Sequence, residues 1–450
     1  MGITSLSRMG LAAPWIGFMA SAFVAVACSA GGGDSGFDTP KTDGGTGGSN
    51  TGGSGGTGGG GGMINPDSGT MDAPPTVATL EGRVVAPEGT IPISSALVYL
   101  SDTPPAPIPD GVFCDECVKL GADDEYTLTS PDGSFSLSAY STGTQYLVVQ
   151  KGQFRKVRTI DIVQGSQQVD PEFTRLPGRM NKAVGDDIPK MAVIVGQWDA
   201  IEVSLAKLGL AEIVPGAFGS QTVNRDTAGF AMVESTFPLD LQDPMKNPDK
   251  FLKDWNVLSQ YHIVFIPCSG SEGTTCTDTL PDNQQVQENL QRFVSEGGKL
   301  YVTDYSYEYV RRPWPGFVTW DSENAATGSA CLTGDYTAPA TVDDPEMKEW
   351  LAAQGIFDFE VEANWTRITA LHTQPGLDPQ GATVDITPTA WVKGNQNPAT
   401  ISFEERCGRV LFSTYHTEGN GNAGLLAQEK ALLYVLLEVG VCVGPPIPPK

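Results

Sequence analysis

The chain reads as a multidomain protein: an antiparallel β-sandwich, then an α/β domain built on a parallel sheet, both carried behind a disordered Gly/Ser tether. Three observations predict this. Apolar and polar residues alternate with period two across 77–175. Solid apolar runs alternate with amphipathic stretches across 188–443. Between Gly31 and Gly62, 17 of 32 residues are glycine, a composition that cannot bury a core. At 450 residues the chain has room for two or three domains. Its 53 acidic residues against 28 basic ones leave a formal net charge of −25. Such a chain repels phosphate backbones, which argues against nucleic acid as a partner. Three histidines leave little for a histidine-based metal cage, and neither a metal nor a cofactor is implied.

Residues 1–27 have the form of a signal peptide, with Arg8 followed by an apolar run too short for a confident membrane span. The run ends in Ala25-Val26-Ala27-Cys28, which resembles the lipobox of bacterial lipoproteins, with Ala25 where leucine is usual. The resemblance implies lipidation of Cys28, anchorage to a membrane through that lipid and residence in the cell envelope. Ser29 after the cysteine resembles lipoproteins sorted to an outer membrane, on its periplasmic or surface face. An ordinary secretory signal cut near Ala27 is the alternative. Residues 28–76 form the tether, a flexible coil of about 35–40 Å root-mean-square span.

The sandwich is expected over 77–175. Thr79–Val85, Ala96–Leu100, Ser134–Leu137, Gln145–Val149 and Val157–Ile160 read as strands, and Pro131-Asp132-Gly133 as a turn feeding one of them. The spacing of Gly82, Val84, Ala96, Val98, Tyr99, Phe135 and Leu137 resembles the carboxypeptidase regulatory-like, transthyretin-related domain. That resemblance implies a structural or adhesive module, not a peptidase. Cys114-Asp115-Glu116-Cys117 lies in the long loop before Ser134. A redox couple wants a helix N-terminus, and a zinc site wants a second ligand pair. A Cys114–Cys117 disulfide stapling the loop is the favoured reading.

After a polar connector, 176–187, the α/β domain is expected over 188–443. Met191–Gly196, Phe230–Val233, His262–Pro267 and Lys299–Asp304 read as strands. Asp199–Gly209 and 283–296 read as helices, each ended by glycine. Ala399–Phe403 and Gly408–Tyr415 form a closing pair of strands, followed by a helix over 423–439. Sites in such sheets form at the carboxyl ends of the strands. The Gly297-Gly298 strand and the closing strand with His416-Thr417-Glu418 resemble class I glutamine amidotransferase-like, flavodoxin-like folds, including the trehalose-utilisation (ThuA-like) branch. The resemblance implies a nucleophilic cysteine after the Gly-Gly strand, paired with His416 and Glu418. Thr303-Asp304-Tyr305-Ser306 stands there instead, and neither a carboxylate nor a phenol replaces a thiolate without a new mechanism.

Candidate catalytic residues are therefore Asp304, Tyr305, His416, Glu418 and Cys268. His416 reads either as a base or as a retained structural residue. Cys268 reads as a disulfide partner of Cys276 or, less favoured, as a substitute nucleophile. Cys407 and Cys442 both fall at the bottom of the sheet and are expected to pair, leaving Cys331 odd. An aromatic-rich insertion over about 305–385, with Tyr305, Tyr307, Tyr309, Trp314, Phe317, Trp320, Trp350 and Trp365, is either a ligand platform or the core of a cap. Two functions follow. The first is a tethered, non-catalytic domain that binds or scaffolds a small-molecule, glycan or protein ligand. The second is a hydrolase or acyl transferase using His416 and Glu418 with Asp304 or Cys268.

Overall fold

The computed structural model describes residues 75–120, 124–196, 198–216, 221–235, 240, 242–268, 276, 278–415, 417 and 424–439. The signal peptide, Cys28, most of the tether, His416, Glu418 and Cys442 lie outside the described residues.

The first domain is built from β1 (Ala78–Arg83), β2 (Leu97–Ser101), β3 (Tyr126–Leu128), β4 (Ser134–Ala139), β5 (Gly143–Lys151), β6 (Phe154–Ile162) and β7 (Gly165–Gln168). β1 pairs antiparallel with β4 and parallel with β7, while β3-β2-β5-β6 form an antiparallel sheet. Period-two alternation places Leu80, Leu137, Leu147 and Val149 in one core. The Pro131-Asp132-Gly133 turn forms as read. Gly133 takes φ +81°, and the Asp132 carboxylate accepts from the Ser134 amide at 2.9 Å. After α1 (Pro171–Thr174), the connector is itself folded, because β8 (Asp186–Asp187) pairs antiparallel with β6 and Arg155 grips the buried Asp187 at 2.8 Å.

The second domain opens with β9 (Met191–Val195) and α2 (Ile201–Leu205). The helix runs into a wide turn that ends where Gly209 adopts φ +88°. Two short strands, β10 (Ile213–Pro215) and β11 (Gln221–Val223), precede β12 (Phe230–Glu234), α3 (Pro248–Lys253), α4 (Trp255–Leu258) and β13 (Ile263–Ile266). α5 (Gln284–Ser295) is capped by the Asn283 side chain and leads into β14 (Lys299–Thr303). The insertion holds α6 (Glu308–Arg311), β15 (Val318–Trp320), β16 (Tyr336–Thr341), α7 (Pro345–Ala352), β17 (Glu360–Asn364), β18 (Ile368–Leu371), β19 (Gln374–Leu377) and β20 (Thr383–Ile386). β21 (Thr389–Gly394), β22 (Asn397–Glu405), β23 (Gly408–Ser413) and α8 (Ala427–Val439) complete the domain.

Nine of these strands share one sheet, in the order β12-β9-β13-β14-β23-β22-β21-β16-β17. The first five are parallel, and the rest extend the sheet antiparallel. Alternate residues serve opposite faces. Val193, Phe265, Tyr301 and Leu411 pack in the same core as α2 and α8; Ile194, Val264, Val302 and Phe412 pack in the core of α3, α4 and α5.

The sandwich is fused to this sheet rather than strung beside it. Its core is continuous with that of α2 and α8. Trp350 of α7 donates from Nε1 to the Pro92 carbonyl at 2.7 Å, and the Glu88 amide donates to the Leu208 carbonyl at 3.0 Å. A third joint lies under the sheet, where the long sandwich loop meets the Gly297-Gly298 corner. Gly297 takes φ +111°, and a Cβ there would collide with the Phe113 carbonyl, so glycine is required twice over.

The cysteines correct the expected pairing. Cys114 bonds Cys407, 293 residues away, with Cα atoms 5.0 Å apart, instead of its neighbour Cys117. Cys276 bonds Cys331 rather than Cys268, with Cα atoms 6.1 Å apart. Cys117 is disulfide-bonded as well. The expected Cys407–Cys442 bridge is thereby excluded, since Cys407 is taken. The reason is tertiary: the sandwich loop packs beneath the sheet, so Cys114 reaches the foot of β23 before any helix end does.

Candidate functional site

The carboxyl ends of the parallel strands carry a buried polar seam. β14 delivers Asp304 at a sharp corner with φ +42°, a left-handed conformation that costs a non-glycine residue about 1–2 kcal/mol. Its side chain does not face an open cleft. Asp304 is completely buried, with Oδ1 accepting from the Thr366 hydroxyl at 2.9 Å and Oδ2 from the Trp365 amide at 3.2 Å. Both donors come from the segment between β17 and β18, so the insertion closes directly over the corner.

Next to it, Tyr305 donates its hydroxyl to the Leu332 carbonyl at 3.1 Å, and its ring leans on Trp365 with centroids 5.8 Å apart. Ser306 donates to the Pro267 carbonyl at 2.8 Å. The gap bordered by Cys276, Asp278, Tyr305, Ser306 and Glu308 has no volume for a water molecule. The Cys276–Cys331 disulfide ties the loop after β13 to the insertion at the same end of the sheet.

Cys268 follows β13 as a buried thiol outside any disulfide, its amide donating to Thr303 Oγ1 at 2.8 Å. That hydroxyl passes the chain on to Asp199 Oδ2 at 2.6 Å. Asp199 Oδ1 accepts from both the amide and the hydroxyl of Thr417, at 2.9 and 2.6 Å. One carboxylate thus gathers the ends of β9, β14 and β23. Sequence reading placed Asp199 at a strand end without assigning it a role; an acidic residue between a buried strand and a helix was the available signal. Of the expected site residues, Asp304, Tyr305 and Cys268 do gather at this end, held by separate hydrogen bonds. His416 and Glu418 fall outside the described residues.

Glu202, three residues on, is 7% exposed, and its Oε2 has no hydrogen-bond partner among the described residues. Burial raises its carboxyl to about 7, aided by the charges of Asp199 and Glu234 and opposed by its own amide and Arg225. The buried Lys207 pairs with Glu429 of α8 at 3.1 Å, and Ser204 donates to the same carboxylate at 2.5 Å. These contacts lock α2 to α8.

The aromatic insertion is mostly core. Tyr307, Tyr309, Trp314, Phe317, Trp320 and Trp350 are all buried, with Phe317 stacked on Phe403 at 4.5 Å. Arg311 and Arg312 converge on the buried Glu308. His262 is also core: Nδ1 accepts from the Lys190 amide at 2.8 Å, Nε2 lies 3.1 Å from the Pro109 carbonyl, and burial lowers the imidazole to about 4. His372 lies 2.8 Å from the Thr319 hydroxyl near the surface. Among the described residues no group of three or more His, Cys, Asp and Glu could hold a metal ion, and no helix is long and apolar enough to cross a membrane.

No protein-family model matches the chain, and no curated protein does. Among solved structures it is similar to a GMP synthase protein from Thermoplasma acidophilum, at 8% identity over 56% of this chain and 94% of that one, with a TM-score of 0.32. It is similar also to cytoplasmic protein STM3548 from Salmonella typhimurium, at 10% identity over 56% of this chain and 98% of that one, TM-score 0.29. A β-galactosidase from Bacillus circulans matches at 13% identity over 56% of this chain but only 31% of its own length, TM-score 0.27. At such TM-scores these likenesses decide nothing about chemistry.

Proposed function

We propose that the chain is a cell-envelope lipoprotein anchored through Cys28, whose α/β half is an amidotransferase-like domain retired from catalysis and used for ligand or protein binding and scaffolding. The observation that carries this reading is Asp304. The corner where a nucleophilic thiol would stand holds a buried carboxylate, and the insertion satisfies that carboxylate with a backbone amide and a hydroxyl. A carboxylate used this way is a structural clasp that fastens the cap to the sheet. The sandwich, sharing its core with α2 and α8, serves as an integral brace behind the tether.

The test uses 6-diazo-5-oxo-L-norleucine, a glutamine analogue that alkylates thiolates and carboxylates at acyl-transfer sites. Peptide mapping of the treated, oxidised mature chain is expected to show no adduct at Cys268 or Asp304. An adduct at either residue, abolished by His416→Ala, would replace this reading with an acyl-transfer enzyme. The anchor is tested separately: globomycin should leave an unprocessed precursor, and unchanged processing would refute lipidation.

A further inference from the structure

A large cleft lies at the opposite end of the sheet from Asp304. It encloses about 920 Å³ between the sandwich loop carrying Ile108 and Pro109 and the amino ends of β9, β12 and β13. Clefts of this size at domain junctions are where small ligands bind. Its floor is apolar and rigid: Ile108, Ile188, Met191, Phe230 and Tyr261 are all buried. His262 belongs to that floor, and with both ring nitrogens engaged it adds no charge there.

The mouth is polar and locally cationic. Arg179, Lys182 and Lys190 line it against Asp110 and Asp226, one net positive charge on a chain of net −25. Lys182 spends its charge on Asp110 at 3.1 Å. Lys190 is steered toward the floor, its ammonium 5.0 Å from the centre of the Tyr261 ring and 3.2 Å from Gln260 Oε1, with no carboxylate partner among the described residues. Arg179 is exposed and has no ion-pair or hydrogen-bond partner among the described residues, and the adjacent Met180 is 42% exposed at the same mouth. An apolar floor beneath two uncompensated cations is complementary to a flat or aliphatic body bearing one negative charge.

The geometry points to this cleft as a binding site for a small amphipathic monoanion, its apolar part against Phe230 and Ile188 and its charge between Arg179 and Lys190. This goes beyond the function proposed above and stands whether or not the strand ends are catalytic. The probe is 8-anilinonaphthalene-1-sulfonate, titrated into the full oxidised mature chain and followed by fluorescence and calorimetry. One saturable site is expected. Arg179→Glu/Lys190→Glu should weaken it at least tenfold. Lys119→Glu/Lys348→Glu, the same charge change at exposed lysines elsewhere, should leave it within twofold. The uncharged N-phenyl-1-naphthylamine should bind at least tenfold more weakly than the sulfonate. The proposal is overturned if no saturable site exists, if both double variants lose affinity equally, or if the uncharged probe binds as tightly.

Discussion

Replacing Glu202 with glutamine should make the protein more stable at alkaline pH and leave it unchanged in acid. The carboxyl is buried, one oxygen is unsatisfied among the described residues, and it titrates near 7 instead of the ordinary 4.5. Below about 4.5 both folded and unfolded chains carry the proton, and no penalty exists. Between about 4.5 and 7 the unfolded chain ionises while the folded chain holds its proton, so stability falls as pH rises. Above about 7 the folded chain bears the full cost of an ionised buried group. At ~1.4 kcal/mol per pH step over that window, the cost comes to about 3 kcal/mol at pH 8. Glutamine keeps the shape and cannot ionise. Urea unfolding of both proteins from pH 4.5 to 8.5, compared as a difference, cancels the other carboxylates. The difference should be near zero at the acid end and grow to about 3 kcal/mol in favour of glutamine. A difference that stays flat with pH would refute the reasoning, because it would place Glu202 in contact with water or a cation.

Two further outcomes follow from the geometry. Cys407→Ser opens a loop of 293 residues and should cost about 2–5 kcal/mol, as should mild reduction, read by thermal unfolding with and without dithiothreitol; an unchanged transition would mean that the shared core alone fixes the sandwich. At the β14 corner, Asp304→Ala removes two hydrogen bonds to a buried carboxylate and keeps the left-handed backbone, so it should destabilise by about 3 kcal/mol. Asp304→Asn, which retains acceptors and tolerates that conformation, should lose about 1 kcal/mol or less. Equal unfolding midpoints for the two variants would refute the clasp.

Local patterns were legible where local physics decides them. The Pro131-Asp132-Gly133 turn, the Gly209 and Gly297 stops and the apolar runs at Met191, His262 and Lys299 all read directly, because turn chemistry and strand burial are properties of neighbours in sequence. Short strands such as β3 and β7, with few apolar residues, gave no alternation to read. The antiparallel half of the sheet was hidden for another reason: β16 and β17 lie inside an insertion whose aromatic content reads equally as cap or platform until packing is known. Disulfide partners were the least accessible. Cys407 was correctly placed at the foot of the sheet, but no spacing rule brings a loop from the sandwich beneath it. At the site, the residue type at the corner was visible, whereas the donors that close it, Trp365 and Thr366, sit some sixty residues downstream and could be found only in three dimensions.

The Cys114–Cys407 bond also imposes an order on biogenesis. Its first thiol emerges from the ribosome early and its second almost last, and β23, which carries that second thiol to its place, is the central neighbour of β14. The early half therefore cannot be sealed until nearly the whole chain has been delivered to an oxidising compartment. A polypeptide stalled or clipped before its final strand would be left with a dangling thiol and an open sheet. Quality control in the envelope could recognise both features, so completion of the chain is itself the checkpoint for its maturation.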